Sequence, residues 1–109
     1  MNPPGLAAAE LLGVDDAYVL DVREQVEWDA GHAPDAVHVP MGALGSVVAT
    51  LPRQGRVLVI CRSGNRSRTA AQALRGIGFD AWNVEGGMQA WQSAGGLVVR
   101  SDGAAGAVI

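Results

Sequence analysis

Only one cysteine, Cys61, stands in this chain of 109 residues, which excludes an internal disulfide. With two histidines beside it, too few ligands remain for a structural zinc cluster. A lone exposed thiol is a liability where disulfides form, so a reducing compartment is the simpler expectation. Lysine is absent: all eight basic residues are scattered arginines, and the formal net charge is −3. That balance gives no general pull towards nucleic acid or an anionic membrane, and any positive field has to be local. No apolar run reaches the ~18 residues that span a bilayer, and no basic start precedes an apolar signal core. The expectation is a soluble, cytoplasmic protein without nucleic-acid or membrane partners. Internal repeats are also missing.

What is present is 49% hydrophobic sequence, enough for one compact domain burying roughly two-thirds of its unfolded surface. Residues 1–100 are read as that domain. The small, Gly- and Ala-rich stretch Ser101 to Ile109 is expected to be a mobile tail.

Leu6 to Leu12, Ala- and Leu-rich and ended by Gly13, predicts a short helix. Ala17 to Val22 reads as a strand, Glu24 to Ala30 as a short helix with Val26 and Ala30 on one face, and Ala36 to Val39 as a second strand stopped by Pro40. Met41 to Leu51 is weakly helical, since Gly42 and Gly45 oppose a helix. Arg56 to Ile60 carries the strongest strand signal. It is followed by a helix, about Ser67 to Arg75, with Ala70, Leu74 and Ile77 at i, i+4 and i+7. A strand at Ala81 to Val84, a helix carrying Met88 and Trp91, and a last strand at Leu97 to Arg100 complete the pattern. Strands alternating with short helices imply an α/β domain whose mainly parallel sheet is covered on both faces. In such sheets ligands bind beyond the carboxyl ends of the strands, where Cys61 stands.

Cys61 opens the turn Arg62-Ser63-Gly64-Asn65-Arg66-Ser67 between the strongest strand and the helix after it. A thiol reacts as thiolate, and at a free pKa of about 8.5 it stays mostly protonated at neutral pH unless its surroundings lower that value. A turn of this length can point successive backbone N–H groups inward as an anion-binding cup, to which the helix N-terminus adds partial positive charge. Gly64 permits positive φ, Asn65 tolerates it, and Ser63 and Ser67 can brace the turn. Arg62 and Arg66 offer forked donors to a small oxyanion, and Arg68 is a weaker candidate. A sulfur nucleophile in such a cup can take an electrophilic atom from the anion and hold it covalently, giving a two-step reaction.

The loop Cys61 to Ser67 resembles the active-site loop of the rhodanese (thiosulfate sulfurtransferase) family. Three other segments agree in order: Asp21-Val22-Arg23; Gly31-His32-Ala33-Pro34 leading into Ala36 to Pro40; and Glu85-Gly86-Gly87-Met88-Gln89-Ala90-Trp91. The resemblance covers about Leu6 to Val99. It implies a rhodanese-like fold with a five-stranded parallel sheet flanked by helices. It also implies a persulfide on Cys61, a small sulfur anion such as thiosulfate or polysulfide as donor, and a thiophilic acceptor such as cyanide, a small thiol or a protein thiol. The amides of Arg62, Ser63, Gly64, Asn65, Arg66 and Ser67 would then cradle the sulfur. No metal and no organic cofactor is implied.

Relatives with the same fold include dual-specificity phosphatases with five residues between cysteine and arginine. Here four separate Cys61 from Arg66, and the smaller cup favours attack on sulfur over phosphatase or arsenate-reductase chemistry. A non-enzymatic sulfur-carrier or sensing and interaction module is the alternative of a different class. The family usually has Gly where Asp35 stands, and Asp is expected to keep the turn in a left-handed conformation. Asp21 and Arg23 are read as a structural ion pair and His32 as a hydrogen-bonded support, not as a Cys-His protease pair with His38. Trp28, Trp82, Trp91, Met88 and Tyr18 are read as packing, and Glu85-Gly86-Gly87 as shape around the mouth of the loop.

Overall fold

The computed structural model describes residues 2–109. Five strands form one sheet: β1 (Gly5–Ala7), β2 (Tyr18–Asp21), β3 (Val37–His38), β4 (Arg56–Ile60) and β5 (Asp80–Glu85), ordered β1-β5-β4-β2-β3. Every pairing is parallel. Parallel neighbours need crossover connections, and these carry α1 (Ala8–Leu11), α2 (Gln25–Ala30), α3 (Leu44–Val47) and α4 (Asn65–Gly76), while α5 (Gly87–Ser93) follows the last strand.

The central strand β4 explains the architecture. Its run Val57 to Ile60 is apolar throughout because both faces of the sheet are covered, and all four residues are buried. Side chains alternate across a strand, so Val57 and Val59 enter one core with Leu20, Val22, Ala70, Leu74 and Phe79. Leu58 and Ile60 enter the other, with Leu6, Leu11, Val19, Val84 and Met88. Helix α4 therefore covers one face, while α1 and α5 cover the other. Cys61 emerges where β4 ends between β2 and β5.

Several expectations need correcting. The segment read as a helix from Leu6 begins as the edge strand β1, because Gly5, Leu6 and Ala7 pair with Asn83, Val84 and Glu85; only Ala8 to Leu11 is helical. Pairing with a buried neighbour overrides the helix propensity of Ala here. The expected strand Leu97 to Arg100 is absent among the described residues. Val99 instead exchanges backbone hydrogen bonds with His32 (2.8 and 2.9 Å), a loop residue that offers no ladder to extend. Val26 and Ile77 are exposed: α2 does not bury its Val26 face, and Ile77, the residue after the end of α4, does not join Ala70 and Leu74 in the core. The weakly helical stretch after Pro40 is short 3-10 turns around α3. Asp35 has φ 63°, the left-handed conformation expected of it.

Residues 101–109 make more contacts than a loose tail would. Gly106 N–H donates to the Val98 carbonyl and Ala107 N–H to that of Ala30, each at 2.9 Å, and Val108 packs against the Leu58 core. The segment folds back over Gly31 instead of leaving the domain.

Candidate active site

The loop after β4 is shaped from two sides. Gly64, with φ 108°, turns the chain into α4. From the other side α5 takes the loop's carbonyls: Met88 N–H donates to the Cys61 carbonyl at 2.8 Å and Gln89 N–H to that of Arg62 at 3.0 Å. With those oxygens held outward, N–H groups are free to face the sulfur. Cys61 Sγ accepts from Gly64 N–H at 3.1 Å and from Ser67 N–H at 3.4 Å, and Ser67 Oγ lies 3.2 Å away. Cys61 is 1% exposed, at the floor of the cup. Close approach of α5 depends on Gly87, where a Cβ would stand 2.4 Å from the Cys61 carbonyl oxygen.

Burial pushes the Cys61 thiol up, but the Ser67 hydroxyl and the amides of Ser67, Gly64 and Ser63 outweigh it and hold the thiol below its ordinary value. Ionisation lets the sulfur react, so alkylation should accelerate with rising pH through a midpoint lower than a free thiol's. Iodoacetamide labelling followed by mass spectrometry across pH checks this. A midpoint at or above that of a cysteine peptide would contradict it.

The remaining loop side chains fall into different places. Ser63, Asn65 and Arg68 are exposed, and Arg62 is exposed with its Nε donating to the Ile109 backbone oxygen at 2.8 Å. Arg66 is not free: its two terminal nitrogens form a fork with both Glu27 oxygens at 2.7 and 2.8 Å. That guanidinium holds the Glu27 carboxyl down to about 2, and Glu27 in turn pushes Arg66 up. Because the carboxyl is lowered, the pair's contribution to stability is present above the ordinary carboxylate range of about 4.3. It is lost as pH falls towards 2.

Asp21 and Arg23 lie wholly buried at the end of β2, with Arg23 Nη2 2.8 Å from Asp21 Oδ2. The same guanidinium donates to the Gly31 carbonyl at 2.8 Å and to that of Glu27 at 3.4 Å. The pair thus anchors the helix that presents Glu27 to Arg66. His32 stacks on Trp28 (centroids 3.6 Å apart), with Nδ1 3.1 Å from the Ala33 carbonyl. His38 stacks on the same indole at 4.7 Å and donates from Nε2 to the Arg23 carbonyl at 2.7 Å. Neither histidine has Cys61 among these partners. Among the described residues no cluster of His, Cys, Asp and Glu could hold a metal ion.

Three contributors escaped the sequence: Glu27, the α5 amides, and Asn83. Asn83 carried a signal, as a polar side chain inside the apolar strand Ala81 to Val84. Glu27 is 39 residues from Arg66, and nothing local marks the pair.

Residues 7–94 match the family model of the Rhodanese-like domain. YtwF of Bacillus subtilis, to which sulfurtransferase activity is ascribed, is 42% identical over 72% of this chain and 76% of its own length. The thiosulfate sulfurtransferase GlpE of Pseudomonas savastanoi pv. phaseolicola is 33% identical over 78% and 81%. Among solved structures, a rhodanese-related protein from Thermoplasma volcanium superposes with TM-score 0.83 at 37% identity, covering 88% of this chain and 97% of that one. With a matching family model over most of its length, this chain belongs to the Rhodanese-like domain family.

Proposed function

We propose that the protein is a sulfurtransferase that carries sulfane sulfur on Cys61 from thiosulfate or a related donor to a thiophilic acceptor. The observation that carries this reading is the buried Cys61 Sγ accepting from the Gly64 and Ser67 amides, which suits a sulfur that must be anionic before and after the transfer. The thiolate attacks the outer sulfur of thiosulfate. A Cys61–S bond forms, the bond to the sulfonate sulfur breaks, and sulfite leaves with its electron pair. Cyanide or a thiolate then attacks the outer sulfur of the persulfide and takes it away, returning the Cys61 thiolate. No net oxidant or reductant is consumed with thiosulfate and cyanide.

The sulfurtransferase names of YtwF and GlpE favour this chemistry. Engagement of the Arg66 fork by Glu27 also favours sulfur over phosphoryl transfer, because a phosphoryl cup needs that fork for itself. No helix among the described residues is long and apolar enough to cross a membrane.

Steady-state thiocyanate formation with thiosulfate and cyanide tests the reading. Parallel double-reciprocal lines are expected for a covalent carrier. Absence of turnover with thiosulfate, polysulfide and persulfide donors alike would overturn it.

The Glu27–Arg66 pair makes a specific prediction about donor binding. Glu27→Gln removes a negative charge and releases the guanidinium fork towards an incoming dianion. The KM for thiosulfate should fall about two- to five-fold with kcat little changed, since a partly exposed, solvent-screened ion contact is worth up to about 1 kcal/mol. A raised KM would mean that Glu27 instead aims Arg66 at the donor.

A further inference from the structure

Asn83, in the middle of β5, is only 3% exposed, and no step of the sulfur-transfer scheme uses it. Its Oδ1 lies 2.6 Å from Ser67 Oγ, the shortest contact Ser67 makes, while Cys61 Sγ lies 3.2 Å from the same oxygen. A serine hydroxyl has one hydrogen and two lone pairs, so Ser67 can donate to Asn83 or to Cys61 but not to both.

The amide of Asn83 is held in its orientation by Nδ2, which donates to the Gly64 carbonyl at 3.3 Å. Turning it over would set Oδ1 against that carbonyl, acceptor against acceptor. Oδ1 therefore stays directed at Ser67. In the thiol form the arrangement closes on itself: Cys61 S–H donates to Ser67 Oγ, and Ser67 O–H donates to Asn83 Oδ1. When the thiol loses its proton to solvent, that chain has to choose. Either Ser67 turns to the sulfur and leaves a buried Asn83 oxygen without its donor, or it stays and presents a lone pair to the thiolate. Both outcomes cost free energy, because a buried polar atom stripped of its partner is penalised in a low dielectric.

We propose that Asn83 is a positioning residue that governs ionisation of Cys61 by competing with its sulfur for the single hydroxyl hydrogen of Ser67. The pocket would thus stabilise the thiolate through backbone amides while Asn83 restrains it through Ser67. From the sulfurtransferase reading this takes only that Cys61 is the reactive group. Its readout, thiol ionisation, needs no sulfur donor.

The test is the pH profile of Cys61 ionisation in the full chain, followed by thiolate ultraviolet absorbance and by iodoacetamide labelling. Asn83→Leu, close in shape but lacking the acceptor, should move the midpoint down and raise the thiolate population on the acid side about three- to ten-fold, the worth of one hydrogen bond. Ser67→Ala should move the midpoint up, and adding Asn83→Leu to Ser67→Ala should change nothing further. An unchanged or raised midpoint in Asn83→Leu would overturn the proposal. So would the same downward shift in the Ser67→Ala background, which would mean that Asn83 acts through burial instead of the hydroxyl. If Asn83→Leu does not fold, Asn83→Ala is read by the same criteria. A protein that shows these shifts yet accepts no sulfur would refute the sulfurtransferase reading alone.

Discussion

Replacing Cys61 with Ser should abolish sulfur transfer, lowering thiocyanate formation by at least about a thousand-fold, in line with the loss of a catalytic nucleophile elsewhere. The substitution keeps the shape of the site: Cys61 is buried, and an oxygen can still accept from the Gly64 and Ser67 amides. What it removes is a soft anion available near neutral pH. A serine hydroxyl lacks a general base here, since the histidines are stacked on Trp28. Thermal melting of Cys61→Ser should therefore stay close to the parent protein while activity vanishes. Retention of more than a few per cent of activity would place the chemistry elsewhere.

Gly87→Ala should damage both fold and activity. Gly87 has φ 58°, and its missing Cβ would meet the Cys61 oxygen at 2.4 Å and the Arg62 carbonyl carbon and oxygen at 2.6 Å. These neighbours are backbone, so no side chain can swing aside. Left-handed backbone costs Ala about 1–2 kcal/mol and overpacking typically a further 1–3. A loss of about 2–5 kcal/mol is expected, or roughly 10–25 °C in Tm for a domain of this size. Relief of the clash pulls α5 from the loop and breaks the Met88 and Gln89 hydrogen bonds that hold its carbonyls outward. The Cys61 alkylation midpoint should rise as the amides lose aim, and kcat/KM should fall at least about ten-fold. Unchanged melting and activity would show that the close approach of α5 is not needed.

The strands that position Cys61 were legible because burial on both faces forces apolar, β-branched sequence: Arg56 to Ile60 reads the same in the sequence and in the sheet. β1 was not, since its three residues run into an Ala-rich helix, and only pairing with β5 distinguishes them. The loop from Cys61 to Ser67 could be read because a turn's chemistry is local. The groups that tune it could not. Glu27 reaches Arg66 across 39 residues and Asn83 reaches Ser67 across 16, so each pairing is a product of topology. For the same reason Arg66 looked like a free anion donor in the sequence and is half of an ion pair in the fold.

The central claim, that Cys61 carries the sulfur, is tested most directly by intact-mass measurement after incubation with thiosulfate. The account predicts an adduct of one sulfur atom, located on the peptide containing Cys61 and discharged by cyanide. A chain whose mass is unchanged by thiosulfate, polysulfide and persulfide donors, or whose adduct survives in Cys61→Ser, would contradict it.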